Sequence, residues 1–211
     1  MRRKDIRYLV SAVLVIVLVH GFGSATLAKP SVQNAGKSYK DYPDNTFNVR
    51  EYIQGMTKGA RNVLIWQDPA ADLKKYRSVK VTDFGGQLLP VQNVFSYDPF
   101  VSSFNATFQS SLKLPKEEAS DALRIEGAVV ECNPGSRAAR AWVGFGAGRA
   151  AGAVVCEIYE PGASQPCMRI YVRDTGSSGG SWGGNSLGML NHIFYTVANR
   201  LSTFLEVRIG R

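Results

Sequence analysis

Two histidines (His20 and His192), three cysteines (Cys132, Cys156 and Cys167) and 17 carboxylates are the groups in this 211-residue chain that could serve as base, nucleophile or metal ligand. His20 lies in an apolar N-terminal stretch, which leaves His192 as the only imidazole of the folded part. A nucleophilic triad needs its imidazole held between nucleophile and carboxylate. On a helical wheel His192 instead shares a polar side with Tyr195, Asn199 and Thr203, opposite Leu190, Phe194, Val197 and Leu201. It reads as a solvated surface residue, and no catalytic residue is assigned. One imidazole and three dispersed cysteines also provide no closely spaced zinc ligand set, so neither a metal site nor a cofactor is expected. Glu117, Glu118 and Asp121 follow Pro115 in a solvated stretch. Glu126 and Glu131 stand five residues apart in one predicted strand. Their opposite parity is expected to point them to opposite faces, which does not suit a paired-carboxylate mechanism.

The odd number of cysteines leaves at least one thiol free or intermolecular if the others oxidise. Cys156 shares strand parity with Val154 and Ile158 and reads as a small buried hydrophobe. Cys167 shares parity with Arg169 and Arg173, so a cross-strand Cys156–Cys167 bridge is disfavoured unless a bulge resets the register. Cys132 could meet either partner, and the pairing stays open.

The most distinctive segment is Gly135-Ser-Arg-Ala-Ala-Arg-Ala-Trp-Val-Gly-Phe-Gly-Ala-Gly-Arg-Ala-Ala-Gly152. As a phosphate cradle it lacks the Gly-Lys-Ser/Thr ending and a dinucleotide fingerprint, and a strand rather than a helix follows it. Gly144, Gly148 and Gly152 recur every four residues, as in a close-packed helix, but Arg140 and Arg149 interrupt the apolar run. The preferred reading is a long connection between adjacent strands, with glycines allowing positive φ or close backbone approach. Arg137, Arg140, Trp142, Gly144, Phe145, Gly146, Gly148 and Arg149 form the candidate interaction loop.

The elements that would position these groups begin after a leader. Arg2, Arg3, Lys4 and Arg7 precede an apolar run from Tyr8 to Val19, and small residues lead to Ala28. This basic, apolar, small order is that of a secretory signal, with cleavage after Ala28 or Ala25. The apolar core is shorter than the ~20 residues needed to span a bilayer. An uncleaved inner-membrane anchor over Tyr8 to Ala28 is the alternative. Without residues 1–28 the formal charge falls from +8 to +5, and no basic run or aromatic-interleaved basic stripe remains. Nucleic acid is therefore not an expected partner.

Residues 29–61 are polar, with little periodicity, and read as a tether or loosely packed segment. A single domain is expected over 62–211. Asn62 to Trp66 and Ser78 to Asp83 read as strands, with one helical turn over Ala70 to Lys75 between them. Asp98 and Pro99 offer an N-cap and a first helical residue, followed by a stripe of Phe100, Phe104, Phe108 and Leu112. Leu123 to Cys132, Ala153 to Glu160 and Cys167 to Asp174 read as strands. The last two form an antiparallel hairpin through the Pro161 to Pro166 linker. A final helix runs from about Asn185 to Glu206, with a stripe of Leu187, Leu190, Phe194, Val197, Leu201, Phe204 and Leu205. The fold class is α+β, a two-layer α/β sandwich. An antiparallel or mixed sheet of four to five strands is packed by two helices on one face.

Tyr76-x-x-Val79-x-Val81, Ile125-Glu-Gly127, and Gly135-Ser-Arg-x-x-Arg140 running into Val143-Gly-Phe-Gly-Ala-Gly-Arg149 resemble the bacterial envelope family called domain of unknown function 4410. The resemblance implies an αβ fold like that of accessory envelope lipoproteins, and it transfers no active site. Members are mostly predicted lipoproteins. No cysteine follows the apolar run here, so the lipid-anchor site is missing and a lipoprotein is not expected.

The expected function is that of an exported, non-enzymatic accessory or scaffold module in the periplasm or cell envelope. Its partners would be other envelope proteins, with homo-oligomerisation and peripheral membrane contact open. Two alternatives stand beside it. One is an oligomeric, membrane-contacting protein using segment 137–152, and the other is a hydrolase or transferase with an unrecognised site.

Overall fold

The computed structural model describes residues 36–42, 47–92, 94–135, 149–176 and 186–210. The expected signal with Ala25 and Ala28, and Arg137 to Gly148 of the candidate loop, lie outside the described residues.

Six strands form one mixed sheet: β1 (Thr57–Ala60), β2 (Val63–Gln67), β3 (Val79–Val81), β4 (Leu123–Asn133), β5 (Ala150–Tyr159) and β6 (Met168–Gly176), in the order β1-β2-β6-β5-β4-β3. Among the described residues three α-helices accompany them: α1 (Val49–Tyr52), α2 (Asp98–Ser111) and α3 (Ser186–Ile209). The sandwich is the one expected, with β1 as an extra edge strand. β3 and β4 run parallel because α2 lies in the connection between them, and every other neighbouring pair is antiparallel. β4 and β5 are antiparallel neighbours, and Ala150, Ala151 and Gly152 of the glycine-rich segment belong to β5. Arg149, just before that strand, is exposed.

α2 and α3 cover one face. Phe100, Phe104, Phe108 and Leu112 are all buried, and the Phe104 and Phe108 rings stack with centroids 5.8 Å apart. The helix starts one residue earlier than its cap signal suggests. Tyr97 occupies the N-cap without a side-chain bond, Asp98 lies in the first turn, and Pro99 follows where a missing N–H costs nothing. α3 buries Leu190, Phe194, Val197, Leu201, Phe204 and Leu205 as its spacing predicts. Leu187, in its first turn, is 44% exposed, off the buried stripe.

Two sequence expectations are corrected. First, the described part of 29–61 is not a loose tether. Tyr39, Tyr42 and Tyr52 are buried on the second face of the sheet, against Ala128, Val130, Ala153, Val155 and Tyr171. Phe47 bridges Tyr42 and Tyr52, with ring centroids at 4.9 and 5.4 Å. Tyr39 sits in a three-residue 3-10 turn and Tyr52 in the four-residue α1, elements too short for a period to announce them. The sheet is therefore covered on both faces, and β5 is buried along its whole length.

Second, Glu126 and Glu131 share a face. The β4–β5 register runs Val129↔Val154 and then Glu131↔Ala153, so Val130 is an inserted bulge residue. One extra residue restores the parity that an odd spacing breaks. Glu131 thereby reaches Arg173, whose Nε and Nη2 donate to its carboxylate at 2.7 and 2.9 Å.

Gly127, in the family-like Ile125-Glu-Gly motif, has a packing reason. A Cβ there would lie 2.2 Å from Phe84 Cε1 and 2.3 Å from the Val155 carbonyl oxygen. Relief requires moving backbone as well as an aromatic ring. Gly127→Ala is expected to cost about 1–3 kcal/mol, read as a lower urea midpoint. An unchanged midpoint would show that the sheet accommodates the methyl group.

Candidate functional site

Two places concentrate polar chemistry, one under the N-terminal segment and one beside α3. The first is a transverse row on the second face of the sheet. Backbone register aligns Glu126 on β4, Glu157 on β5, Arg169 on β6 and Trp66 on β2. Alternating residue types make Glu157 and Arg169 look solvent-facing, yet both are buried. The β5–β6 hairpin sets them opposite one another.

Glu157 accepts three hydrogen bonds, from Ser38 Oγ at 2.6 Å, the Tyr39 backbone N–H at 2.9 Å and Tyr159 Oη at 2.5 Å. Arg169 directs Nη1 to the Lys37 carbonyl at 3.0 Å and lies between the rings of Tyr52 and Trp66, 5.2 Å from each centroid. Its Nε and Nη2 have no hydrogen-bond partner among the described residues. Nearby, Glu126 pairs with Lys40 and with Arg124, and both cations lie 4.5 Å from the centre of the Tyr159 ring. Residues 37–40 are thus strapped to the sheet by two buried charges and one half-buried ion pair.

Burial pushes the Glu157 carboxyl above its usual range, against the hydrogen bonds and the Arg169 charge that favour ionisation. Burial likewise lowers Arg169, against the carboxylate and the tyrosines. Desolvation outweighs attraction on both sides, which marks a structural clamp. Two of the bonds to Glu157 come from the strap and the third from Tyr159 on its own strand, so the carboxylate is held by the protein's own groups.

The three cysteines are free and buried. Cys132, Cys156 and Cys167 all face the α2/α3 core, so Cys167 leaves the parity of Arg169 by preceding the first paired residue of β6. Burial pushes the Cys132 and Cys167 thiols up to about 12 and about 11, and Cys156 well above its usual value. A native-state titration with a disulfide reagent at pH 8 is expected to find no fast thiol and three after denaturation. A rapidly reacting thiol in the native protein would contradict this packing. His192 is exposed on α3, as its wheel position predicts.

The second place is a groove of about 890 Å³ between the outer side of α3, the β1 edge and a 3-10 turn at Leu73–Lys75. Its floor includes Ala60, Leu73 and Phe204. Gly59 allows that floor to close, because a Cβ there would lie 2.9 Å from Ile65 Cγ2 and 3.1 Å from the Phe204 ring. Tyr195 and Val207 stand 57% and 69% exposed along one wall. Lys74, Arg200 and Arg208 supply positive charge; Arg208 lies over the Phe204 ring at 5.2 Å, and Arg200 pairs with Asp174 at 3.4 Å. The groove's one carboxylate, Asp72, accepts from the Lys74 backbone N–H at 3.1 Å and so caps its turn. Sequence reasoning missed this groove because its walls come from three distant segments. The polar side of α3 with its exposed tyrosine was the available signal.

Among the described residues no group of acidic, histidine or cysteine side chains could hold a metal ion. None of their helices is long and apolar enough to cross a membrane.

These features define a two-layer α+β sandwich, strapped on one face and grooved beside its long helix. Residues 104–181 match the family model described as Domain of unknown function (DUF4410). No curated protein matches the chain. Among solved structures, a PelC dodecamer from Paraburkholderia phytofirmans is 14% identical, with a TM-score of 0.41, covering 67% of this chain and 96% of that one. A minor lipoprotein from Acinetobacter baumannii is 10% identical, with a TM-score of 0.35 over 64% of this chain and 94% of that one. A DUF4136 family protein from Bacteroides thetaiotaomicron is 11% identical, with a TM-score of 0.35 over 70% and 97%.

Proposed function

We propose that the chain is an exported, non-enzymatic accessory or scaffold module of the bacterial cell envelope that works by binding another envelope protein. The carrying observation is the chemistry of the groove. It combines exposed Tyr195 and Val207 with cationic side chains, while its one carboxylate is committed to a turn. Such a lining suits recognition: it offers apolar area and charge without a nucleophile and base set against each other. The basic, apolar, small order of residues 2–28 supports export.

The test is to express the full chain in a bacterial host with a photocrosslinking residue in place of Thr203. The expected result is an envelope-fraction protein that begins at Lys29 (or Thr26) and forms a discrete adduct with another protein on illumination. A full-length cytoplasmic product without adducts would overturn the proposal.

A further inference from the structure

We infer that the groove beside α3 receives an extended acidic peptide segment of the partner protein. This rests on the binding-module reading above and names the chemistry of its partner. Three observations carry it. Tyr195 to Arg208 extends about 20 Å along α3 at 1.5 Å per residue. That length accommodates about six residues of extended chain, and a compact small molecule would leave much of it empty. The charge is one-sided: Lys74 and Arg208 are exposed with no carboxylate partner among the described residues, whereas Arg200 is already paired with Asp174. Asp72, the one carboxylate among the described lining residues, is held in its turn.

The floor between these cations is apolar. Phe204 and Leu73 are buried and line the groove with Ala60 and the exposed Val207, so apolar side chains alternating with carboxylates would meet matching surface. Arg208 is already oriented by the Phe204 ring, which lowers the cost of fixing a guanidinium against a carboxylate. A planar guanidinium recognises a carboxylate by two parallel hydrogen bonds, which favours an acidic side chain over a neutral one. The apolar floor and concave shape favour a polypeptide over an anionic glycan or a flat lipid surface.

The experiment measures polarisation of two fluorescent octapeptides, one alternating Asp and Leu and one alternating Lys and Leu, on the purified protein. The acidic peptide is expected to bind at least about tenfold more tightly. Arg208→Glu and Lys74→Glu are each expected to weaken it about fivefold or more, with unchanged thermal melting. Lys58→Glu makes the same change in net charge on the opposite face of β1, where Lys58 pairs with Leu64, and is expected to leave binding unaltered. Equal binding of the two peptides, loss on Lys58→Glu equal to that on Arg208→Glu, or displacement by polygalacturonate at equal carboxylate concentration would each overturn the inference. If the Thr203 adduct forms but the acidic peptide does not bind, the peptide chemistry fails and the binding-module reading stands.

Discussion

Glu157→Ala is expected to lower the free energy of unfolding by about 3–5 kcal/mol, among the largest single-residue effects in this protein. The loss has two parts. Arg169 remains buried with its compensating charge removed, and the Ser38 hydroxyl, the Tyr39 N–H and the Tyr159 hydroxyl lose their common acceptor. Glu157→Gln keeps one acceptor oxygen and the shape, and is expected to cost less, about 1–3 kcal/mol. Replacing both charges, as Glu157→Leu with Arg169→Met, is expected to recover much of the loss, since an apolar pair avoids burying either ion. Urea unfolding of the three variants checks the order, and an alanine variant as stable as the glutamine one would contradict the clamp.

The same group sets a pH dependence. The folded-state carboxyl of Glu157 titrates above its unfolded value, so the folded protein binds the proton more tightly. Its contribution to stability is complete below the unfolded value and is lost as pH rises through the folded one. Wild-type stability is therefore expected to fall more steeply than that of Glu157→Gln as pH rises from about 4 towards neutrality. Parallel curves would locate the raised carboxyl elsewhere.

Phe104→Ala is expected to cost about 3–5 kcal/mol for a different reason. Phe104 is fully buried, stacks on Phe108, and meets Phe84 and Phe194 with ring centroids at 5.1 and 6.4 Å. Removing it opens a cavity where α2, α3 and the loop before α2 converge. Three rings anchored on separate segments cannot all move in to refill it. Phe104→Leu leaves less void and is expected to lose about half as much. A loss below about 1 kcal/mol for alanine would show that the helix pair collapses onto the space.

The helical face was legible because its code is periodic. Phe100 through Leu112 and Leu190 through Leu205 repeat at helix spacing, and their partners Val154, Cys156 and Ile158 alternate in β5. The opposite face was not. Glu157, Tyr159, Arg169 and Tyr171 alternate as a solvated surface would, and only the cover formed by 36–42 and 47–56 makes them interior. That cover buries tyrosines at positions 39, 42 and 52, carried by a 3-10 turn and the single-turn α1, which are too short to show a period. One clue was present: the linker from Pro161 to Pro166 closes a hairpin that must set Glu157 across from Arg169. An acid and a base facing each other in a strand pair suggest a designed contact but say nothing about depth. The bulge at Val130 was illegible, because nothing in Val129-Val-Glu131 distinguishes an inserted residue from a paired one. The groove escaped because contact between segments 59–60, 67–74 and 195–208 is a property of the assembled sheet.

The strap also has a kinetic meaning. Ser38 and Tyr39 meet Glu157 across 119 and 118 residues of chain, whereas β4, β5, β6 and α3 lie closer together in the chain and pack as neighbours. Closing so long a loop before the hairpin exists gains nothing against its entropy, so the hairpin and its helix are expected to form first and the N-terminal cover to dock later. The N-terminal cover docks last, onto a surface that already carries a buried carboxylate and guanidinium. Until that moment both ions remain hydrated. The final step of folding is then the dehydration of a charge pair, and unfolding begins by letting water back beneath residues 36–42.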